Sequence, residues 1–230
     1  MAATLTSKRI TARDEAEAVE LAFTRGWSDG LPVVPPTEAR VRAMLEAAKL
    51  EPDRQVAFIT HRAVYITAEK VAINAVMAGC RPEYMPVVVA AVEGIGDPRW
   101  SYHGPGTSTG GAGVLMVVNG PVARELDINA GDNLFGPGWR ANATIGRAVR
   151  LVMRNVCGSR PGTLDRGTLG NPGIEPHTLR MTRRTARPMV RLARQPGPKR
   201  LSPALMSSSR AIGPLTIIST AAPPVEVPGP

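Results

Sequence analysis

Seven side chains between Asn129 and Arg147 have the types and spacing to hold an anion: Asn129, Asp132, Asn133, Arg140, Asn142, Thr144 and Arg147. The first half of this stretch, through Gly136-Pro137-Gly138, is a polar glycine-rich loop, and the second half reads as a helix. The first N–H groups of a helix lack intrahelical partners and sit at its positive end, so a loop delivering two arginines there is suited to a carboxylate or phosphate. Arg140 could make a bidentate contact to such a group, with Asn142 or Thr144 as a helix cap or first-turn polar group. The same Asn and Thr types also satisfy a loop's own backbone, and the residues alone leave both readings open. Arg150 and Arg154, further along the helix, read as solvated.

Two other residues could carry catalysis. Cys80 follows Gly79 between two predicted helices, beside Arg81, and a thiol at a helix start near a cation can lose its proton and become a nucleophile. The competing reading is a buried structural cysteine. Asp29, in Gly26-Trp27-Ser28-Asp29-Gly30, is a candidate acid or base, paired with a tryptophan that either faces a ligand or anchors its loop on the core. Glu69, Glu83 and His103 are further acid–base types. A second glycine-rich loop, 104–113, offers the hydroxyls of Thr107, Ser108 and Thr109 to a ligand, or is simply a turn before a strand. It lacks the Gly-Lys-Ser/Thr ending of a phosphate-binding P-loop. His61 and His103 have no partner at metal-ligand spacing, so no metal site is expected.

The elements that would position these residues follow from periodicity. Helices are predicted over 13–25, with Gly26 as the stop, over 38–48 behind a Thr37 cap, over 68–78 behind a Thr67 cap, and from Pro82 towards Gly94. Gln55–Thr60 and the apolar run Val114–Val118 have strand composition, and a short helix is expected before Leu126. The Pro- and Gly-rich segment 26–37 should be an ordered extended loop. Strands alternating with helices indicate an α/β or α+β class: a single compact domain with a mixed or parallel sheet flanked by helices.

Charge is unevenly placed. The net charge is +9, but Lys+Arg against Asp+Glu is 19 to 17 before Ile174 and 9 to 2 from Ile174 onward. The basicity belongs to the last 57 residues, which hold 10 Pro and no Asp and show no sustained period, the composition of a disordered tail. With aromatics at 4%, no base-stacking platform is indicated, and nucleic-acid binding ranks below the other readings. The expected divisions are a flexible N-terminus over 1–12, a domain over 13–173 and a basic Pro/Arg-rich tail over 174–230. No apolar run approaches a membrane span and the N-terminus lacks a signal-peptide core, so the expected location is cytoplasmic.

Four segments resemble the UGSC-like proteins, a bacterial family named for a Sec-Gly-Ser-Cys motif and often labelled thioredoxin-like or thiol-disulfide isomerase. They are Gly26–Thr37, Val71–Tyr84, Asn119-Gly120-Pro121 and Phe135–Arg147, and the resemblance covers about residues 20–173. It implies a small-molecule enzyme with thiol-linked chemistry, and it reinforces a ligand role for the 129–147 stretch. Two departures stand out. Cys157-Gly158-Ser159-Arg160 ends in Arg, so no vicinal thiol pair forms there. The resemblance also implies an acidic continuation beyond Gly170–Gly173 where this chain turns basic. A shifted reading frame would account for that, since Met181–Ala186 can be encoded so that the neighbouring frame reads His-Asp-Glu-Ala-Asp-Ser.

The sequence therefore leads us to expect a protein that binds a small anionic molecule and acts on it, with no cofactor named. The alternative is a non-catalytic subunit that pairs with a catalytic partner and supplies part of its site; besides the small anion, the expected partners are a companion subunit or a second copy of this chain.

Overall fold

The protein is described by a computed structural model covering residues 4–100, 102, 114–132, 134, 136 and 138–160, with two short strands beyond, Thr178–Arg180 and Thr216–Ile218. In order, the elements are β1 (Arg9–Thr11), α1 (Glu15–Thr24), α2 (Glu38–Ala48), β2 (Gln55–Ile59), β3 (Val64–Thr67), α3 (Ala68–Ala78), α4 (Met85–Gly96), β4 (Met116–Val118), α5 (Pro121–Glu125), α6 (Arg140–Asn155), β5 (Thr178–Arg180) and β6 (Thr216–Ile218).

Helix α3 is the centre. Ten of its residues are buried, Lys70 being the exception, because Ala, Val, Ile and Met leave no polar stripe and such a helix must be covered on all sides. It packs against α2, α4 and α6, and its closest partnership is with α6. Helix α6 buries Ile145, Val149, Val152 and Met153, among others, in the same core. Local signals set the ends: Asp14, Thr37 and Thr67 each accept a hydrogen bond from the backbone N–H three residues on, the N-cap contact that satisfies one orphan donor of a helix start. Gly79 closes α3 with a left-handed φ of +87°, where a side chain would be strained.

The class is a mixture of helix and strand, as the alternation of patterns indicates, and the α+β form is the one adopted. The described strands make three two-stranded ladders: β2–β3 antiparallel, β1–β6 antiparallel and β4–β5 parallel. Strand β3 escapes sequence reading because it is four residues long and turns directly into the Thr67 cap of α3. Gly96, at the end of α4, lies against β2 so closely that an added Cβ would sit 2.6 Å from the Cβ of Ala57. Near the N-terminus, buried Glu69 accepts from Thr6 N, Thr6 Oγ1 and Ser7 N at 2.8–3.0 Å. A buried carboxylate needs such donors, so Glu69 fastens the chain start rather than standing ready as an acid or base.

Apart from β5 and β6, the expectations for residues 174–230 lie outside the described residues, as do Thr107, Ser108, Thr109, Asn133 and His103.

Candidate functional site

The candidate residues on α6 meet α3 and the 26–37 loop, and most are engaged with the protein's own backbone. Arg140 donates from Nε and Nη2 to the carbonyl of Gly79 at 3.2 and 2.9 Å. That carbonyl lies at the negative end of α3, where a guanidinium is favourable. The Cys80 thiol donates to the Thr144 carbonyl at 3.2 Å, and Thr144 Oγ1 donates to the Arg140 carbonyl at 2.8 Å, one turn back.

Arg147 makes a bidentate pair with Asp29, Nε to Oδ2 and Nη2 to Oδ1, both 2.8 Å, and also donates to the carbonyls of Leu31 and Pro32. Burial alone would raise the Asp29 carboxyl, but the bonds and charge of Arg147, with the Leu31 N–H, hold it below its ordinary value. Two turns past Arg147, Asn155 Nδ2 donates to Trp27 O at 2.9 Å and to Asn74 Oδ1 at 2.8 Å. Asp29 and Trp27 therefore clamp their loop onto α6, and Trp27 is buried, which settles its anchoring role.

Asn142 is likewise spoken for. Its Oδ1 accepts from Asn129 N at 2.8 Å and its Nδ2 donates to Asn129 O at 3.1 Å, a reciprocal clip on the backbone of one residue. Asn129 in turn accepts from Gly131 N and donates to Asp132 O. Of the two readings open for these residues, satisfaction of the loop's own backbone is the one seen. Arg150, read from sequence as solvated, is buried at 4% exposure, and Arg154 Nε is buried without an acceptor. Helix α6 is covered on nearly every side, which its polar composition does not advertise.

Cys80 was expected to have its thiol pKa lowered by Arg81 and the following helix start. Its surroundings do the reverse: burial pushes the thiol up to about 12, and the nearby charges of Arg140 and Arg147 do not offset it. Cys157 is also buried and pushed up to about 12, beside Tyr102. Neither thiol is a ready nucleophile.

Among the described residues, a cleft of about 390 Å³ lies between the turn 81–84, the end of α5 and the start of α6. Its lining includes Arg81, Glu83, Tyr84, Glu125, Asp127 and Arg140. Helix α6 starts without a side-chain cap, behind Trp139, and has no acidic residue in its first turn. Its first intrahelical bond runs from Ala143 N to Trp139 O, so earlier N–H groups project from the helix start. Tyr84 is 5% exposed and its hydroxyl has no hydrogen-bond partner among the described residues, nor is that oxygen itself buried. Burial raises the Tyr84 phenol while Arg81 and Arg140 pull against it. Sequence reasoning named Arg81, Glu83 and Arg140 but missed Tyr84, Glu125, Asp127 and Trp139, since nothing in their local patterns joins three separate segments.

Among the described residues, no group of three or more His, Cys, Asp or Glu is placed to hold a metal, and no helix is long and apolar enough to cross a membrane. No family model, curated protein or solved structure matches the chain.

Proposed function

We propose that the protein binds a small molecule carrying a carboxylate or phosphate, in the cleft where α6 begins. The observation that carries this reading is Tyr84: a side chain 5% exposed, lining the cleft, with a hydroxyl that meets no partner among the described residues. That oxygen is not itself buried, so its hydrogen bond is open to water or to a ligand oxygen that displaces it. The uncapped start of α6 and the guanidinium groups of Arg81 and Arg140 supply positive potential on the same side. The resemblance of Phe135–Arg147 to the UGSC-like family supports the location, while the binding contacts move from Asn142 and Arg147 to Arg81, Tyr84 and Arg140. The Cys80 thiol takes no part.

Titration calorimetry against a panel of small carboxylates and phosphates tests the reading. One or more should bind, Tyr84→Phe should weaken binding by roughly two- to tenfold, and Arg81→Ala by roughly ten- to a hundredfold, the worth of a neutral and a charged hydrogen bond. Unchanged affinity in both variants, or a panel without a binder, would refute it.

A further inference from the structure

Arg147, Arg150 and Arg154 follow one another along α6 at spacings of three and four, so they share a face of the helix. The 26–37 loop lies along this part of α6, with Asp29 on Arg147 and the Trp27 carbonyl on Asn155. Arg150 is 4% exposed and Arg154 is half-buried, which takes two positive charges out of water beside that loop. Among the described residues, the charges that bear on Arg154 are Arg160 and Arg150, which repel it, and Asp29, which attracts it. Both oxygens of Asp29 are already bonded to Arg147. Burial pulls the Arg154 guanidinium below its ordinary value, and this imbalance of charge does not restore it.

Arg154 carries the independent sign of a ligand. Its Nε–H is fully buried and meets no acceptor, and no ion pair among the described residues includes it. A buried charged donor left in this way is costly, and a bound acceptor removes the cost. The end of α6 does not supply that acceptor. The Val152 carbonyl accepts from Val156 N and Cys157 N, and the Met153 carbonyl from Ser159 N. Helical side chains also lean toward the N-terminus, which carries Arg154 back over the turn that holds Arg150 and away from the last carbonyls. We propose that the turn from Arg150 to Arg154, with Arg160 beside it, is an anion site separate from the cleft at the start of α6, and that its ligand is a phosphate-type oxyanion. A tetrahedral group with several acceptor oxygens can take the Arg154 Nε–H and face neighbouring guanidiniums at the same time, with up to two negative charges to set against them. Arg160 is exposed, so the anion reaches Arg154 from solvent without opening the core.

The test uses the full chain carrying Arg81→Ala, so that the cleft at the start of α6 contributes little, and inorganic phosphate as the probe. Thermal unfolding is followed by circular dichroism in phosphate and in potassium chloride of equal ionic strength. Phosphate at ten times its Kd should raise the denaturation temperature over the chloride control by roughly 3–6 °C. Adding Arg154→Gln should weaken phosphate binding roughly tenfold, the worth of a charged hydrogen bond. Arg160→Gln, at an exposed position where the fold is not at risk, should weaken it by roughly threefold or more. A rise that chloride reproduces, or no rise at all, would overturn the proposal, because nothing specific to phosphate would then be bound. Undiminished phosphate affinity in a folded Arg154→Gln variant would overturn it as well. Should Arg154→Gln fail to fold, unchanged affinity in Arg160→Gln would do the same.

Discussion

Arg147 and Asp29, 118 residues apart in the chain, face each other through two parallel hydrogen bonds of 2.8 Å, with side-chain exposures of 15% and 10%. The pair fastens the loop that follows α1 to the middle of α6. Removing one partner strands a largely buried charge. Asp29→Asn or Arg147→Ala alone should each cost about 2–4 kcal/mol, toward the lower end for breaking a buried pair because some solvent reaches it. In a double-mutant cycle read by urea unfolding, the coupling should be about 1–3 kcal/mol. A coupling below about 0.3 kcal/mol would show that the two side chains act independently.

The same pair sets an acid response. The folded-state value of Asp29 lies below its ordinary 3.8, so the unfolded chain takes up this proton first as pH falls. Its contribution is fully present above 3.8 and is lost as pH falls through the lower folded value. Glu69 is also held low: burial opposes it, but the N–H groups of Ser7 and Thr6 outweigh that. The wild type should therefore lose stability between about pH 5 and pH 2, and Asp29→Asn should show a shallower fall over that window. Parallel curves for the two proteins would mean that Asp29 does not titrate as described.

Both cysteines are buried and both thiols are pushed up to about 12. At pH 8 iodoacetamide should label neither in the native protein, and both should label on the timescale of an unfolded-chain control once urea is added. Rapid native labelling of Cys80, followed by mass spectrometry, would restore the thiolate chemistry that its neighbours argue against.

Asn142 bonds both the backbone N–H and the C=O of Asn129, at 2.8 and 3.1 Å. Asn142→Ala removes both bonds and leaves a partly buried N–H and C=O to find water, a loss of about 1–3 kcal/mol. A denaturation midpoint equal to that of the wild type would show that the loop before α6 is held some other way.

The helices were legible because their ends are written locally. Thr37, Thr67 and Gly79 act within four residues of themselves, and a cap can be read without knowing the fold. The roles of the polar residues were not, because they are decided across long distances. Arg147 looks like a ligand residue until Asp29, Leu31 and Pro32 are brought to it. Asn142 looks like a helix-start donor until its two functions are both taken by Asn129. The cleft was hidden for the complementary reason. Glu125 and Asp127 lie at the end of a five-residue helix, Tyr84 in a turn and Trp139 before α6, and no period or spacing relates them. Arg150 shows the limit of amphipathic reading: a helix covered on nearly every side buries a charge that its pattern assigns to solvent.

The contact of Gly96 with Ala57, where a methyl group would come within 2.6 Å of another, binds the histories of two positions. A bulkier residue at 96 can be accommodated only if 57 shrinks to glycine or the strand withdraws from the helix, and neither change is neutral by itself. Among descendants of this sequence the two sites should drift as a pair, with the first substitution at either one exposed to selection until the second arrives.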